Sequence, residues 1–511
     1  MKRFLLTLSV ALCSVSAWAQ PTLVRVHDAA TNQPTISKEI YGHFSEHLGT
    51  CIYGGLWVGE ASSIPNVEGY RTDVLEALKA LEVPVLRWPG GCFADEYHWR
   101  DGIGPRSERP VMVNSNWGGT VEDNSFGTHE FLNLCEKLGC EPYISGNVGS
   151  GSVEEMAKWV VYMTAENGPM AELRKQNGRE KPWKVKYIGV GNESWGCGGS
   201  MRPEYYADLY RRYATYCREF NGNRLYKVAS GASDYDYNWT EVMMKQIGRR
   251  MHGLSLHYYT IRNWSDKGSA TEFDAAEYYR TLGKALEIEP VLQRHIALMD
   301  SYDPEQRIGL LVDEWGTWFD EEPGTIRGHL YQQNTLRDAM VAALTFHVFH
   351  RYADRVRMAN IAQIANVLQS VVLTRGEEMV LTPTYHAFYL YKPHMGATVV
   401  PLDYTTTERE VSKTRRVPAL SATASRATDG SLNISLVNPD LEQEQRLVLQ
   451  FDALQAQEVQ GALLTADKIT DYNDFGRENK VDLVPFKGAK VTAKGVEVTL
   501  PAKSIVTLSI R

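Results

Sequence analysis

Two glutamates have neighbours and positions that suit acid–base chemistry. Glu193 directly follows Asn192, and Glu314 lies between Asp313 and Trp315. Two carboxyl groups that flank a glycosidic bond can divide its cleavage between them: one protonates the leaving oxygen, and the other attacks the anomeric carbon or activates water. The amide of Asn192 could also bind a sugar hydroxyl. Either glutamate alone is a weak indication, because solvated loop carboxylates are common, so the prediction depends on where the fold places the pair.

Short β-rich segments alternate with helical segments from residue 40 to about residue 363. Apolar residues at helical spacing over 71–81, a Ser before two Glu at 152–155, and Pro203 indicate helices between the strands. Several strands are almost wholly apolar, which is typical of parallel strands buried on both faces. The eight β-rich runs are 40–44, 83–88, 141–145, 187–190, 226–229, 253–257, 308–312 and 356–359. Eight strand–helix repeats predict an α/β protein with a closed (β/α)8 TIM barrel.

The pattern changes after about Thr384, where short alternating runs are separated by turns at Asp429-Gly430 and Lys494-Gly495. Such runs predict a C-terminal antiparallel β-sandwich domain. The early run 22–27 also alternates, so we expect it to join that sandwich. The predicted division is a signal peptide at 1–19, an N-terminal strand segment at 20–39, a catalytic barrel at 40–384 and a sandwich at 385–511.

Polar residues near the carboxyl ends of the predicted barrel strands should converge on one mouth, because active sites of such barrels lie at that end. The fourth and seventh strands occupy opposite sides of an eightfold ring, so Glu193 and Glu314 should face each other across it. Carboxylates, amides and aromatics of this kind can hold sugar hydroxyls and stack on sugar faces. The other candidates at these strand ends are Glu46, Arg87, Cys92, Asn192, His257, Tyr259 and Gln363.

Five motifs resemble known glycosidase motifs, and three of them point to one family. Gly191-Asn192-Glu193-Ser194 and Asp313-Glu314-Trp315 resemble the acid/base and nucleophile motifs of a large clan of (β/α)8-barrel glycoside hydrolases. The segments IYGHFSEHLG at 40–49, LRWPGGCF at 86–93 and MANIAQ at 358–363 resemble family 51 α-L-arabinofuranosidases. The resemblance extends from about Leu23 to the C-terminus.

The resemblance implies a retaining exo-enzyme that releases terminal, non-reducing α-L-arabinofuranosyl units from oligo- or polysaccharides such as arabinan or hemicellulose. Glu193 would be the acid/base and Glu314 the nucleophile, with no metal and no cofactor. His257 would lie beside the acid/base, and Trp117 and Trp318 would wall the pocket. The residues implied to hold the sugar ring or orient the glutamates are Glu46, Arg87, Asn192, Tyr259 and Gln363. Relatives often form trimers or hexamers, so a homo-oligomer is a further expectation.

Cys92 departs from the family pattern. Many relatives have Asn at this position, where the amide contacts a sugar hydroxyl. A thiol forms weaker hydrogen bonds than an amide. We therefore expect Cys92 to line the sugar site with a smaller contribution, or to be a buried apolar thiol.

Composition limits the possible partners and the compartment. The net charge of −8 does not favour a nucleic acid or an anionic membrane as a partner, and no apolar span long enough for a bilayer follows the N-terminus. Lys2 and Arg3, an apolar run, and Ala17-Trp18-Ala19 predict a signal peptide and export to the periplasm or exterior. Six of the seven cysteines follow that segment, an even number that permits disulfides without requiring them.

Three alternatives remain open from the residues alone. His43-Phe44-Ser45-Glu46-His47 matches the H-x-x-E-H pattern of a class of zinc peptidases, but strand spacing would hold the two histidines too far apart to share a metal easily. A non-catalytic carbohydrate-binding barrel is a second alternative. The third is a related barrel hydrolase that acts on β-xylosides or β-glucans.

Overall fold

The chain folds into a closed barrel of eight parallel strands, as predicted. The computed structural model describes residues 21–511, and the proposed signal peptide lies outside the described residues. Each barrel strand pairs with its neighbour in chain order, and the eighth closes the ring on the first, with Asn360 opposite Gly42. The strands are Gly42–Phe44, Val85–Trp88, Glu141–Gly146, Tyr187–Val190, Tyr226–Ser233, Gly253–Thr260, Gly309–Thr317 and Val356–Ala362.

The last four barrel strands continue beyond their predicted ends. Ile40 and Tyr41, predicted as the start of the first strand, instead belong to a short 3-10 helix, Lys38–Tyr41. The seventh strand continues through Asp313 and Glu314 to Thr317, where the sequence predicts a strand that stops at Val312. His257, Tyr259 and Glu314 are therefore placed by hydrogen-bonded strands rather than by loops, which is how a scaffold fixes functional groups most firmly.

Helices follow the strands and cover the outside of the barrel. The predicted start at Ser152 is confirmed, because its side chain accepts a hydrogen bond from the backbone N–H of Glu155. Thr335 and Asp338 form a capping box at the start of α9, a helix that is buried along almost its whole length. The helices are α1 (Thr72–Leu81), α2 (Thr128–Leu138), α3 (Val153–Thr164), α4 (Pro169–Gln176), α5 (Pro203–Tyr216), α6 (Tyr237–Ile247), α7 (Ala275–Leu286), α8 (Ile288–Tyr302), α9 (Leu336–Arg351) and α10 (Pro383–Tyr391).

Two packed sheets form the C-terminal part. Thr22–Val26 lies in the first of them, parallel to Gln445–Phe451 and antiparallel to Leu402–Tyr404. In order, the first sheet contains Leu402–Tyr404, Thr22–Val26, Gln445–Phe451, Gly495–Leu500 and Ala489–Thr492. The second contains Thr398–Val399, Ser421–Arg426, Leu432–Asn438, Ser504–Ile510, Val459–Thr465 and Asp482–Pro485. Apolar residues from both sheets form one core between them.

Four short hairpins complete the strands. They are Asn66–Val67 with Tyr70–Arg71, Met112–Val113 with Val121–Glu122, Val372–Arg375 with Glu378–Leu381, and Glu408–Glu410 with Arg416–Pro418. Helix α10 spans the predicted domain boundary at residue 384, and the exact division of the chain stays a prediction. No helix of residues 21–511 has the length and apolar character needed to cross a bilayer.

Helix α9 and the segment after α10 join the barrel to the sandwich through buried histidines. His347 and His350 on α9 hydrogen-bond to Ser421 and Thr423 of the sandwich at 2.8 and 2.9 Å. His394 bridges Ser425 and Ser435 at 2.7 and 2.8 Å. Burial lowers the pKa of His394 to about 3, so the ring is neutral at physiological pH.

The barrel interior below the mouth is filled with side chains rather than open. Val85, Tyr143, Val228, Leu311 and Met358 are buried there and come from different strands. Such layers close the lower part of a TIM barrel.

Candidate active site

A pocket of about 250 Å³ opens at the carboxyl mouth of the barrel. Eight of the eleven predicted site residues line it: Glu46, Cys92, Trp117, Glu193, Tyr259, Glu314, Trp318 and Gln363. The other three are buried: Arg87 and His257 contact lining residues, and Asn192 accepts a hydrogen bond from Arg87. A larger groove of about 790 Å³ lies on the surface between α3 and α5, and Glu154 is its sole lining carboxylate. The smaller pocket is therefore the candidate active site.

The two predicted catalytic glutamates face each other across this pocket. A carboxylate oxygen of Glu193 and one of Glu314 lie within 4.8 Å of each other. Carboxyl groups about 5 to 5.5 Å apart are typical of retaining glycosidases, whereas inverting enzymes need a wider gap that admits water. Glu314 accepts a hydrogen bond from Arg87 Nη1 at 2.8 Å and another from the Tyr259 hydroxyl at 2.9 Å. Donors on both oxygens fix the orientation of this carboxylate toward the pocket.

Glu193 is suited to hold a proton. Burial raises its pKa, the hydrogen bond from His257 opposes that effect, and the negative charge of Glu314 raises the pKa further. Burial is the larger of the two causes that raise the pKa. The backbone of Glu193 has a φ of 38°, in the left-handed region that few residues other than glycine adopt. Strain of this kind is concentrated at functional sites.

His257 links both glutamates to Asp313, a residue that the sequence interpretation did not include in the site. Its Nδ1 lies 2.8 Å from Glu193 Oε1, and its Nε2 lies 3.2 Å from Asp313 Oδ1. Burial alone would lower the pKa of His257, but Glu314, Asp313 and Glu193 together raise it to about 10. The imidazolium can therefore donate to Glu193 and Asp313 at once. Asp313 is fixed in turn by the Tyr143 hydroxyl at 2.7 Å.

A register shift explains why two consecutive residues, Asp313 and Glu314, both belong to the site. Alternating side chains on a regular strand point to opposite faces, so one of the pair would be expected outside the barrel. The pairing of the seventh strand with the eighth is irregular between Val312 and Trp315. Such irregularities redirect side chains and are frequent near active sites.

Arg87 and Asn192 form a second buried connection between the glutamates. Arg87 Nη2 donates to Asn192 Oδ1 at 2.5 Å, while Nη1 of the same guanidinium holds Glu314. The Nδ2 of Asn192 is buried and has no hydrogen-bond partner within residues 21–511. A buried donor without a partner costs free energy. Asn192 Nδ2 is therefore available to donate to a substrate hydroxyl.

Glu46 is held by several donors at the side of the pocket. Its Oε1 accepts from the backbone N–H of Gly91 at 2.9 Å and of Phe93 at 3.1 Å, and its Oε2 accepts from Gln363 Nε2 at 3.1 Å. Burial, with a smaller contribution from Glu314, raises the pKa of Glu46 to about 7. Near neutral pH this carboxyl group can thus either donate or accept a hydrogen bond.

Gly91 leaves the space that the Glu314 carboxylate occupies. A Cβ at this position would lie 2.8 Å from Glu314 Oε1, closer than non-bonded atoms approach. The loop after the second barrel strand can therefore pass beside Glu314 only if this residue has no side chain.

Cys92 is in a disulfide with Cys197, which corrects the prediction of a hydrogen-bonding thiol. The two residues are 105 positions apart, and their sulfurs lie 3.9 and 3.5 Å from Glu193 Oε2. A disulfide has no S–H to donate, so Cys92 contributes a covalent link and an apolar surface. The link joins the loop after the second strand to the loop that bears Glu193.

Aromatic rings form the outer wall of the pocket. Trp117 and Trp318 lie there as predicted, and Trp318 packs edge-on against Tyr259 with ring centroids 5.0 Å apart. Trp264, which the sequence interpretation did not select, packs edge-on against Trp318 at 5.3 Å. Trp195 also lines the pocket and donates from its indole to the carbonyl of Gly231 at 3.1 Å.

The two histidines of the zinc-peptidase alternative have separate surroundings. His43 stacks near Phe388 with ring centroids 4.8 Å apart. His47 accepts a hydrogen bond from Trp88 Nε1 at 3.2 Å and lies 3.4 Å from Glu122. Their partners are thus aromatic core residues and a carboxylate outside the pocket.

Comparison with known proteins identifies the family of the chain. Residues 77–277 match the family model described as the α-L-arabinofuranosidase 1 domain, and residues 313–504 match the α-L-arabinofuranosidase C-terminal domain. An intracellular exo-α-L-arabinofuranosidase of Bacteroides ovatus is 62% identical over 511 residues, 100% of this chain and 99% of its own. A probable α-L-arabinofuranosidase C of Aspergillus flavus is 34% identical over 87% of this chain and 89% of its own.

Solved structures give the same result. The GH51 arabinofuranosidase of Xanthomonas axonopodis pv. citri superposes with a TM-score of 0.93 at 50% identity, covering 96% of this chain and 100% of that one. The α-L-arabinofuranosidase of Thermotoga maritima, solved as an arabinose complex, gives 0.83 at 30% identity, with 96% and 99% covered. Fold and site thus define a (β/α)8-barrel glycoside hydrolase. The chain belongs to the family 51 α-L-arabinofuranosidases.

The comparisons also correct the predicted compartment. The expectation of export to the periplasm or exterior is wrong, because the Bacteroides ovatus relative that matches the full chain is named intracellular. Two basic residues and a short apolar run describe composition only, and they do not identify where a protein resides.

Proposed function

We propose that this chain removes terminal, non-reducing α-L-arabinofuranosyl units with retention of configuration, through Glu314 as nucleophile and Glu193 as acid/base. The observation that supports this assignment best is the separation of their carboxylate oxygens, within 4.8 Å across the pocket. The two groups differ in their surroundings as their roles require: Glu314 accepts two hydrogen bonds, and burial raises the pKa of Glu193.

In the first step Glu314 attacks the anomeric carbon while Glu193 gives its proton to the departing glycosidic oxygen. The bond to that oxygen breaks, and a covalent arabinosyl ester of Glu314 forms. Arg87 and Tyr259 hold the two oxygens of Glu314 in position for attack.

In the second step water replaces the carboxylate at the anomeric carbon. Esterification removes the negative charge of Glu314, one of the causes that raise the pKa of Glu193. Glu193 then accepts a proton from water, the ester bond breaks, and arabinose leaves with its original configuration. His257 positions Glu193 in both steps through its 2.8 Å contact.

The remaining polar groups are proposed to hold the sugar ring. Glu46 and Gln363 offer paired acceptors and donors, and Asn192 offers its free Nδ2. Trp117 and Trp318 close the pocket around one ring, which suits an enzyme that acts at chain ends.

Activity on a panel of chromogenic glycosides tests the proposed substrate. We expect the α-L-arabinofuranoside to be cleaved far faster than the β-xyloside, β-glucoside and β-galactoside. Faster cleavage of the β-xyloside would contradict the proposal and favour a related barrel hydrolase.

No metal is required by this chemistry, and chelation tests that point. Glu193, His257 and Glu314 bring three possible ligand atoms together, but each is assigned a role in catalysis. We expect full activity after exhaustive treatment with a chelator. A loss that added zinc restores would contradict the metal-free mechanism.

Arabinan or hemicellulose side chains are the proposed natural substrates, and a trimer or hexamer is the proposed assembly. Release of arabinose from each polymer tests the proposed substrates. Light scattering in solution tests the proposed assembly. No arabinose from either polymer, or a monomer in solution, would contradict the respective proposal.

A further inference from the structure

Three aromatic rings lead from the proposed nucleophile to solvent. The Tyr259 hydroxyl donates to Glu314 at 2.9 Å, and the Tyr259 ring meets Trp318 edge-on at 5.0 Å. Trp318 in turn meets Trp264 edge-on at 5.3 Å, with an interplanar angle of 77°. Trp264 lines the rim of the same pocket.

Trp264 is exposed to an extent that packing does not explain. Its relative exposure is 62%, whereas Trp318 is largely covered by its neighbours. A single exposed apolar side chain is ordinary on a protein surface, but this indole extends an aromatic row that begins inside the pocket and lines the pocket rim, where it can contact a ligand. The mechanism described above gives this ring no role.

The loop that bears Trp264 is held firmly by polar contacts. Asn263 Oδ1 accepts hydrogen bonds from the backbone N–H groups of Ser265 and Asp266 at 3.0 and 2.7 Å. Arg262 forms an ion pair with Asp266, and the backbone N–H of Gly268 donates to Asp320 at 3.0 Å. An indole on an ordered loop binds a ligand with little loss of conformational freedom.

The position of the ring relative to the catalytic pair defines what it can contact. The arabinofuranosyl unit must reach Glu193 and Glu314 inside the pocket, so the group attached to its anomeric carbon extends toward the rim. Trp264 is the outermost ring on that rim. Sugar rings stack their C–H faces on aromatic side chains, and tryptophan offers the largest face.

We infer that Trp264 is a specificity residue that stacks against the sugar to which the scissile arabinose is attached. This inference rests on the proposed function. The ligand is a neutral sugar ring of an oligosaccharide, and the contact is absent for substrates whose leaving group contains no ring.

A comparison of two substrates in Trp264→Ala tests the inference. One substrate is methyl α-L-arabinofuranoside, whose leaving group has no ring, and the other is xylotriose with a single α-L-arabinofuranosyl branch. We expect kcat/KM for the branched oligosaccharide to fall about 10-fold, mainly through KM. For the methyl glycoside it should stay within about twofold. Trp264→Phe should recover most of the loss, because a smaller aromatic face remains.

A control and the contradicting outcomes complete the experiment. Tyr302→Ala removes an exposed aromatic side chain at the end of α8, outside the pocket, and both substrates should be unaffected. An equal loss on both substrates in Trp264→Ala, or no loss on either, would overturn the inference. Wild-type protein that cleaves neither substrate would instead contradict the proposed function.

Discussion

At the scale of single residues, the site depends on how its charges are arranged around one histidine. His257 lies between Glu193, the proposed acid/base, and Asp313, and its positive charge and hydrogen bond lower the pKa of Glu193 against the effect of burial. The proton on Glu193 is needed for the first step, so activity falls as the pH rises through its pKa.

Substitution His257→Gln should move the basic limb of the kcat/KM profile to higher pH. Removing the imidazolium removes two causes that lower the pKa of Glu193, so its proton is retained to higher pH. Full pH–rate profiles on an arabinofuranoside measure this shift. Tyr259→Phe is the matched control, because the Tyr259 hydroxyl donates to Glu314 rather than to Glu193. A basic limb that stays in place or moves to lower pH in His257→Gln would contradict the assigned role.

The Cys92–Cys197 disulfide gives a second prediction at this scale. The double variant Cys92→Ala, Cys197→Ala should lower the free energy of unfolding by about 2 to 4 kcal/mol, because the link closes a long loop. It should also lower kcat/KM, since the disulfide sulfurs contact Glu193. Denaturant unfolding with and without dithiothreitol measures the effect. Dithiothreitol should lower the free energy of unfolding of the wild type but not that of the double variant. An unchanged free energy of unfolding for the wild type in dithiothreitol would contradict the prediction.

At the scale of elements, the ends of the barrel strands decide which residues meet. The eight strands and the helices between them can be predicted from short apolar runs and from the helix starts at Ser152 and Pro203. Burial on both faces of a strand and capping of a helix each produce a recognisable local sequence pattern. The inclusion of Asp313 depends on a register shift in the seventh strand, which its own sequence does not reveal. Trp264 lies on a loop without periodicity, and the Cys92–Cys197 pair is joined across 105 positions with no local pattern. These features follow from tertiary packing alone.

The loop after the second strand supplies a prediction for this scale. A methyl group in Gly91→Ala would meet Glu314 Oε1 at 2.8 Å and displace the nucleophile. Displacement of about 1 Å in a reacting group costs about 100-fold in rate, so we expect a loss of that order in kcat. Gly196→Ala is the matched control near the same pocket, because its added Cβ comes no closer than 3.6 Å to the nearest atom. A Gly91→Ala enzyme with unchanged kcat would contradict this packing argument.

At the scale of the whole molecule, neutral histidines connect the barrel to the sandwich. Burial lowers the pKa of His347 and His350 well below their usual value, and that of His394 to about 3. Below pH about 6.5 these three histidines take up protons in the unfolded chain but not in the folded chain. The contribution of these histidines to the free energy of unfolding is therefore complete above that pH. It is lost as the pH falls toward their pKa in the folded protein.

The variant His394→Gln should weaken this pH dependence. Glutamine can bond both Ser425 and Ser435 but does not titrate, so the loss of unfolding free energy between pH 7 and pH 5 should shrink by about 2 kcal/mol. Denaturant unfolding at both pH values measures the difference. An identical pH dependence in wild type and His394→Gln would contradict the account.

Azide rescue tests the central claim, that Glu314 is the nucleophile and Glu193 the acid/base, most directly. On a nitrophenyl arabinofuranoside, Glu193→Ala should still form the covalent intermediate, because this leaving group needs little protonation. Azide should then restore turnover and give an arabinosyl azide of retained configuration, since a small anion needs no general base. Glu314→Ala should lose nearly all turnover, and any azide product should have inverted configuration. A retained azide product from Glu314→Ala would show that the two roles are exchanged.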